Sequence, residues 1–245
     1  MMKSTLKILV VVTALGLFGL CSLASMYTND WKTILADDFN DCRITSQYIQ
    51  GMVGHFVIED PNEHVELIVD GPEGHILFED EEGGCLEPTR FSGVPVEGFV
   101  KDHLQVFFDL TAFQETTTFN AKLTDEDDLD VLNLSMGNNG HWFLDSVDTG
   151  VHYVAGVTYN VMFEVSVGPL GGPASHAVLL KEKSAPFYSL LSEGFLPGFT
   201  AGDVIASLLF EKPAFSAAGQ IALDNVYMHF VEYFSANGFS QFQRY

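Results

Sequence analysis

The chain has 245 residues, with 11 Lys and Arg against 33 Asp and Glu, a formal net charge of −22. A surface of this sign repels nucleic acid, because phosphates are held by Lys and Arg. Anionic polysaccharides are poor partners for the same reason, unless a local basic patch or bound cations intervene.

The first element in chain order is an export signal. Lys3 and Lys7 give a positive start, an apolar run follows from Ile8 to Leu20, and Ser22-Leu23-Ala24 fits the small-x-small cleavage pattern. The expectation is a signal peptide over residues 1–24 and a mature chain over 25–245 that works in a secreted, cell-surface or periplasmic setting. The apolar run is shorter than the roughly 20 residues of a bilayer span; a retained anchor is the alternative. Lipid on Cys21 is disfavoured because Leu20, not a small residue, precedes it. No other apolar stretch approaches a membrane span. Cys42 and Cys85 remain after cleavage. Two cysteines in an exported protein commonly pair, so a Cys42–Cys85 disulfide is expected, with two buried thiols as the alternative.

Along the mature chain the dominant period is two. Val53 to Ile58, His64 to Val69, Gly74 to Phe78, Leu104 to Leu110, Phe119 to Leu123 and Val131 to Leu134 read as strands. Val151 to Val154, Thr158 to Val167, His176 to Leu180, Val204 to Phe210, Ile221 to Leu223 and Val226 to Val231 complete the set. Gly, Pro, Asn and Asp clusters separate them. Helical pattern is confined to short turns over Thr111 to Glu115 and Ser189 to Phe195. Short strands at this spacing make an all-β, two-sheet antiparallel β-sandwich or a barrel. No repeat or long linker divides the mature chain, which reads as a single domain.

Ala36-Asp37-Asp38-Phe39 near the mature start, Ile221-Ala222-Leu223-Asp224-Asn225-Val226-Tyr227 near the end, and the central segment Gly156 to Val165 carry a family likeness. They resemble the concanavalin A-like (laminin-G-like) lectin and glucanase jelly rolls, with the galactose-binding-like jelly roll as second choice. The resemblance implies a jelly roll whose first and last strands lie together, a structural calcium near them, and a carbohydrate theme. Asp37, Asp38 and Asp224 are then the calcium candidates, since Ca²⁺ takes six to eight oxygens and few cations are at hand to neutralise clustered acids; solvated turns are the alternative.

Trp142, His141 and Asn139 are the candidate sugar contacts. Asn139-Gly140 marks a turn, an aromatic face can stack on a sugar ring, and neighbouring amides bond its hydroxyls. The competing reading makes Trp142 a core anchor. In Asp125-Glu126-Asp127-Asp128-Leu129-Asp130, a strand would put 126, 128 and 130 on one face, the spacing of glycosidase carboxylates. The glucanase motif of the family, however, wants apolar residues and a final Glu where Asp127 and Asp130 stand. His-Glu-x-x-His, P-loop, Gly-x-Gly-x-x-Gly and Gly-x-Ser-x-Gly signatures are absent. The aromatic segment 185–199 is a candidate protein-contact loop. Three function classes stand: a non-catalytic module for a neutral polysaccharide or glycan, a structural or adhesive surface protein, and a polysaccharide-degrading enzyme.

Overall fold

The computed structural model describes residues 27–40, 54–70, 73–80, 83, 85–95, 103–166, 173–200 and 203–235. The leader expected over residues 1–24 and Cys42 lie outside these. Residues Thr33–Phe230 form one compact unit; the described residues 27–32 and 231–235, the outer ends of the first and last strands, fall outside it.

The described residues are all β. The strands are β1 (Tyr27–Asp37), β2 (His55–Glu59), β3 (Val65–Asp70), β4 (Glu73–Asp80), β5 (Thr89–Val94), β6 (His103–Ala112), β7 (Phe119–Thr124) and β8 (Asp130–Met136). They continue with β9 (His141–Leu144), β10 (Val147–His152), β11 (Thr158–Ser166), β12 (Pro173–Glu182), β13 (Ser189–Thr200), β14 (Ser207–Lys212) and β15 (Gly219–Ser235). One sheet runs β13-β12-β11-β6-β15-β4-β3, with β1 also paired to β15; the other runs β10-β9-β8-β7-β14-β5-β2. This is the two-sheet antiparallel sandwich that the period-two pattern demands, and its first and last strands pair as the jelly-roll likeness implies.

Alternation places the core. In β11 every second residue is buried, Tyr159, Val161, Phe163 and Val165, and β6 contributes Leu104, Val106 and Phe108 to the same layer. Rings interlock across it: Phe163 meets Phe108 edge-on at 5.3 Å, Phe108 meets Phe210 at 5.1 Å, and Phe56 stacks on Phe91 at 4.8 Å. Edge-to-face pairs add to the hydrophobic gain of burial.

Two expectations change. Ser189 to Phe195 is not a helical turn but the start of β13, whose backbone is satisfied by β12 through pairs such as Leu180↔Ser189 and Ser175↔Phe195. Thr111, next to last in β6, pairs with Thr158, so the Thr111 to Glu115 segment is a strand end followed by a bend. The tryptophan expectation also resolves. Trp142 is fully buried, edge-on to Tyr153 at 5.8 Å and Tyr159 at 5.6 Å. It anchors the core and has no face to offer a sugar.

Candidate functional site

The outer face of the larger sheet is built from the outward-facing residues of β6 and β11. Their register makes five outward cross-strand pairs: Thr111↔Thr158, Asp109↔Asn160, Phe107↔Met162, Gln105↔Glu164 and His103↔Ser166. Four of the five are polar and hydrogen-bonded across the strands. Thr111 and Thr158 hydroxyls lie 2.7 Å apart, Gln105 Nε2 donates to Glu164 Oε1 at 2.6 Å, and His103 Nδ1 meets Ser166 Oγ at 2.6 Å. Asn160 Nδ2 donates to Asp109 Oδ1.

β15 completes the face through a bulge. Burial alternates through Ile221 and Leu223 and resumes at Val226 and Met228, leaving Asp224 and Asn225 consecutive on the outer side. Asn225 takes a φ of 51°, the left-handed conformation that Asn tolerates best among residues with a Cβ. Such bulges re-aim side chains. Here Asn225 Nδ2 reaches both Asp109 Oδ2 at 3.0 Å and Asp224 Oδ2 at 2.9 Å. Lys183 Nζ stands 3.1 Å from the same Asp109 oxygen. Asp109 is therefore a buried acceptor held by two amides and an ammonium.

Around this floor stand aromatic rings. Tyr227 stacks parallel to His229, 6.1 Å between centroids, and Phe107 meets His229 edge-on at 5.9 Å. His229 Nδ1 is fixed by Thr33 Oγ1 at 2.9 Å. From the other side comes Tyr188, with Lys181 Nζ 4.9 Å from its ring centroid. Phe107, Asp109, Asn160, Tyr188, Asn225, Tyr227 and His229 line an open depression of about 490 Å³. Burial, then the carboxylates of Asp38, Asp224, Asp37 and Asp109, push the Tyr227 hydroxyl pKa up. Burial and Asp109 do the same for Tyr188. Both phenols stay protonated donors at neutral pH. Burial raises the Asp224 carboxyl, Asn225 N–H opposing and Asp109 reinforcing. Further along β11, Glu164, Ser166, Ser175 and Phe195 line a second open depression of about 440 Å³.

The other expected residues lie elsewhere. His141 Nδ1 pairs with Asp148 at 2.9 Å and its ring sits edge-on to His152 at 3.9 Å; Asn139 Oδ1 accepts from His141 N at 3.2 Å. Gly150 N–H, then His141, lowers the Asp148 carboxyl pKa. This is a self-satisfied turn around β9 and β10. Asp37 Oδ1 accepts from Phe39 N at 2.8 Å, Asp38 Oδ1 from Asn40 N at 3.3 Å and Asp224 Oδ1 from Asn225 N at 2.7 Å. Asp37 and Asp38 thus serve the turn after β1 and Asp224 the backbone of β15 beside Asn225, and among the described residues the group with converging metal-ligand atoms is another, His64, Asp80 and Cys85. Cys85 is a free thiol. The Asp125 to Asp130 run is the β7–β8 turn: Asp125 Oδ1 accepts from Asp127 N and Leu129 N, each at 2.9 Å. Asp128 there takes a φ of 59°, so 126, 128 and 130 do not form a strand face. In the 185–199 segment Phe187 and Phe195 are exposed while Leu196 and Phe199 join the core.

No family model matches the sequence, and no curated protein sequence matches it. The fold does have solved counterparts. A sialidase superposes with a TM-score of 0.57 at 13% identity over 80% of this chain, which spans only 18% of that sialidase. The catalytic domain of the glycoside hydrolase family 131 protein from Coprinopsis cinerea superposes with a TM-score of 0.52 at 10% identity, over 80% of this chain and 94% of that one. The CBM2 module of the evolved Dit of Lactobacillus casei BL23 phage J-1 gives 0.52 at 12%, over 83% and 97%. At these identities the likeness is one of fold alone, the two-sheet β-sandwich.

Proposed function

We propose that the outer face of the larger sheet binds a neutral glycan and that the chain is a secreted, non-catalytic carbohydrate-binding module. The observation that carries this reading is the combination in one depression of an aromatic wall, Phe107, Tyr227 and His229, with a fixed polar floor, Asp109, Asn160 and Asn225. Pyranose rings offer apolar C–H faces to aromatics and equatorial hydroxyls to amides and carboxylates. Positioned polar groups in a largely apolar cleft are what fixes a small ligand. The second depression along β11 extends the same face, which suits a chain of sugars rather than a single ring. Carboxylates dominate the surroundings, so an anionic glycan is repelled. The fold neighbours named for carbohydrate modules and glycoside hydrolases support the reading by analogy of fold alone.

The test is a glycan array on the full chain followed by calorimetry on the best hit. Tyr227→Ala and Asn160→Ala each weaken binding about tenfold or more, equivalent to ~1.4 kcal/mol. Trp142→Phe leaves the affinity unchanged. Binding that survives Tyr227→Ala, or an array without hits, sinks the proposal.

A specific observation favours one other reading, glycoside hydrolysis. Asp109 and Asp224 share the Asn225 amide, and burial together with Asp109 keeps the Asp224 carboxyl pKa raised, as a proton donor requires. Reducing-sugar release lost in Asp224→Asn would establish it; unchanged substrate after long incubation would remove it.

A further inference from the structure

Three metal-ligating side chains converge outside the face described above. His64 immediately precedes β3, Asp80 closes β4, and Cys85 lies in the β4–β5 connection. The antiparallel register Val65↔Phe78 brings the start of β3 beside the end of β4, and Glu79 N donates to His64 O at 2.8 Å. The connection then folds back. Gly83 N donates to Asp80 Oδ1 at 2.6 Å, and Phe215 N to Cys85 O at 2.7 Å. Gly83 is required there: its φ is +72°, and a Cβ would fall 2.8 Å from Ala218 N. The entry to β3 is fixed as well, Asp60 accepting from His64 N at 2.9 Å and Val65 N at 2.7 Å.

One ligand atom from each residue lies within 4.8 Å of the other two. Cys85 Sγ stands 3.5 Å from His64 Nδ1 and 3.8 Å from Nε2. Asp80 is only 2% exposed, and its Oδ2 is buried without a hydrogen bond. The nearby cation, Lys212 Nζ, is 3.9 Å from that oxygen and donates instead to Ala217 O at 2.9 Å. With only this long ion pair and the Cys85 thiol to meet it, the buried carboxylate is incompletely compensated and open to a better partner.

We propose that His64, Asp80 and Cys85 bind a zinc ion. An imidazole nitrogen, a thiolate and a carboxylate oxygen form a borderline-soft set that suits Zn²⁺ and not Ca²⁺ or Mg²⁺. Nitrogen and sulfur on a tetrahedral zinc stand about 3.6 Å apart, given Zn–N of ~2.05 Å and Zn–S of ~2.3 Å, which is the spacing already present. Gly83 N–H holds Asp80 Oδ1 and so turns Oδ2 to the ion, the outer-shell role that fixes ligands in metal sites. Binding releases the thiol proton to solvent, and thiolate and carboxylate then offset the charge of the ion, with the Lys212 ammonium 3.9 Å from Asp80 Oδ2 beside them. Water takes the fourth position. The ion clips the β4–β5 connection to the ends of β3 and β4. The site stands independently of the glycan reading.

The experiment uses the full chain, purified reduced and stripped of metal, then titrated with Zn²⁺ and separately with Co²⁺. One zinc binds per chain, and the cobalt form shows a thiolate-to-cobalt charge-transfer band. Cys85→Ser abolishes the band and weakens zinc binding at least about tenfold, on the scale of losses in metal sites. His64→Asn weakens zinc to a similar degree, and Cys42→Ser changes neither readout. Asp80 is deeply buried, so Asp80→Asn is read only if its circular dichroism matches the parent; Cys85, partly exposed, carries the test if it does not. A cobalt complex without the thiolate band, wild-type zinc affinity in Cys85→Ser, or a Cys42–Cys85 disulfide in the exported protein overturns the proposal.

Discussion

The imidazole of His176 shows how one side chain can be both well packed and poorly satisfied. It points inward from β12, opposite Gly194 of β13, whose missing side chain makes room: a Cβ there would lie 3.2 Å from His176 Cε1. Neither ring nitrogen has a hydrogen-bond partner, and burial lowers the ring's pKa, Asp145 only partly opposing. Below the unfolded value of about 6.5 the unfolded chain takes up a proton that the native ring resists, so stability falls as pH drops from there toward the folded value. His176→Leu removes that loss. At pH 7.5 the variant matches or exceeds the parent by about 1 kcal/mol, since exchanging an unsatisfied polar group for an apolar one is neutral or favourable. At pH 5.5 its advantage grows. Urea unfolding at the two pH values measures both, and an advantage that does not grow on acidification refutes the account. Single residues were the least legible level of the sequence. Asn139, His141 and Trp142 sit together in the chain, yet strand alternation sends Trp142 into the core and leaves His141 to Asp148. Asp109 passed unnoticed inside an apolar run because only its partner Asn160, 51 positions away, reveals its role.

At the scale of strands, the sequence pattern was clearest where a strand alternates over many residues. β11 was readable for this reason, and β6 only as a mostly apolar run. β9 was not, being four residues long, nor was β13, whose pattern is interrupted by Gly194, Pro197 and Gly198. What no alternation predicts is how neighbouring strands lock together, and the smaller sheet shows this on its outer face. Glu211 of β14 accepts from Arg90 Nε of β5 at 2.9 Å and Asn120 Nδ2 of β7 at 3.1 Å, and lies 3.2 Å from Lys122 Nζ. Lys122 in turn lies 3.3 Å from Asp130 of β8. One carboxylate thus ties three adjacent strands. Burial pushes the Glu211 pKa up, but Arg90, Lys122 and Asn120 outweigh it and hold the group below its ordinary value. A depressed carboxylate stabilises the fold above the unfolded pKa, about 4.3, and loses that contribution as pH falls through the folded value. Glu211→Gln therefore costs about 1–3 kcal/mol at pH 7 and nothing once the parent is itself protonated. Paired denaturation curves at pH 7 and pH 3.5 check this; an equal deficit at both assigns the loss to packing instead of charge.

Over the whole molecule the dominant fact is charge. Thirty-three acids against 11 bases leave −22 on 245 residues, and like charges destabilise a compact state. Composition alone made this legible, as it did the exclusion of nucleic acid. The convergence of His64, Asp80 and Cys85 was not legible, because it depends on the β3–β4 register and a folded-back loop rather than on any spacing in the chain. The opposing contribution is local: ion pairs such as Arg90–Glu211 and Lys183–Asp109 gain from low salt. Salt separates the two. Screening lengths fall from about 30 Å at 0.01 M to about 8 Å at 0.15 M, which cuts the many long-range repulsions far more than close pairs with one buried partner. Sodium chloride over that range therefore raises the melting midpoint, by about 2–4 °C for each kcal/mol of repulsion removed in a protein of this size. Glycan affinity responds differently. A neutral ligand meets Asp109 and its amides through short hydrogen bonds, so its dissociation constant stays constant across the same salt range, whereas an anionic glycan, repelled at low salt, binds more tightly as salt is added. Differential scanning calorimetry and calorimetric titration in the same buffers give both numbers. A midpoint that falls with salt means that the local pairs outweigh the net charge, and a neutral glycan whose affinity follows salt removes Asp109 and its neighbours as the binding floor.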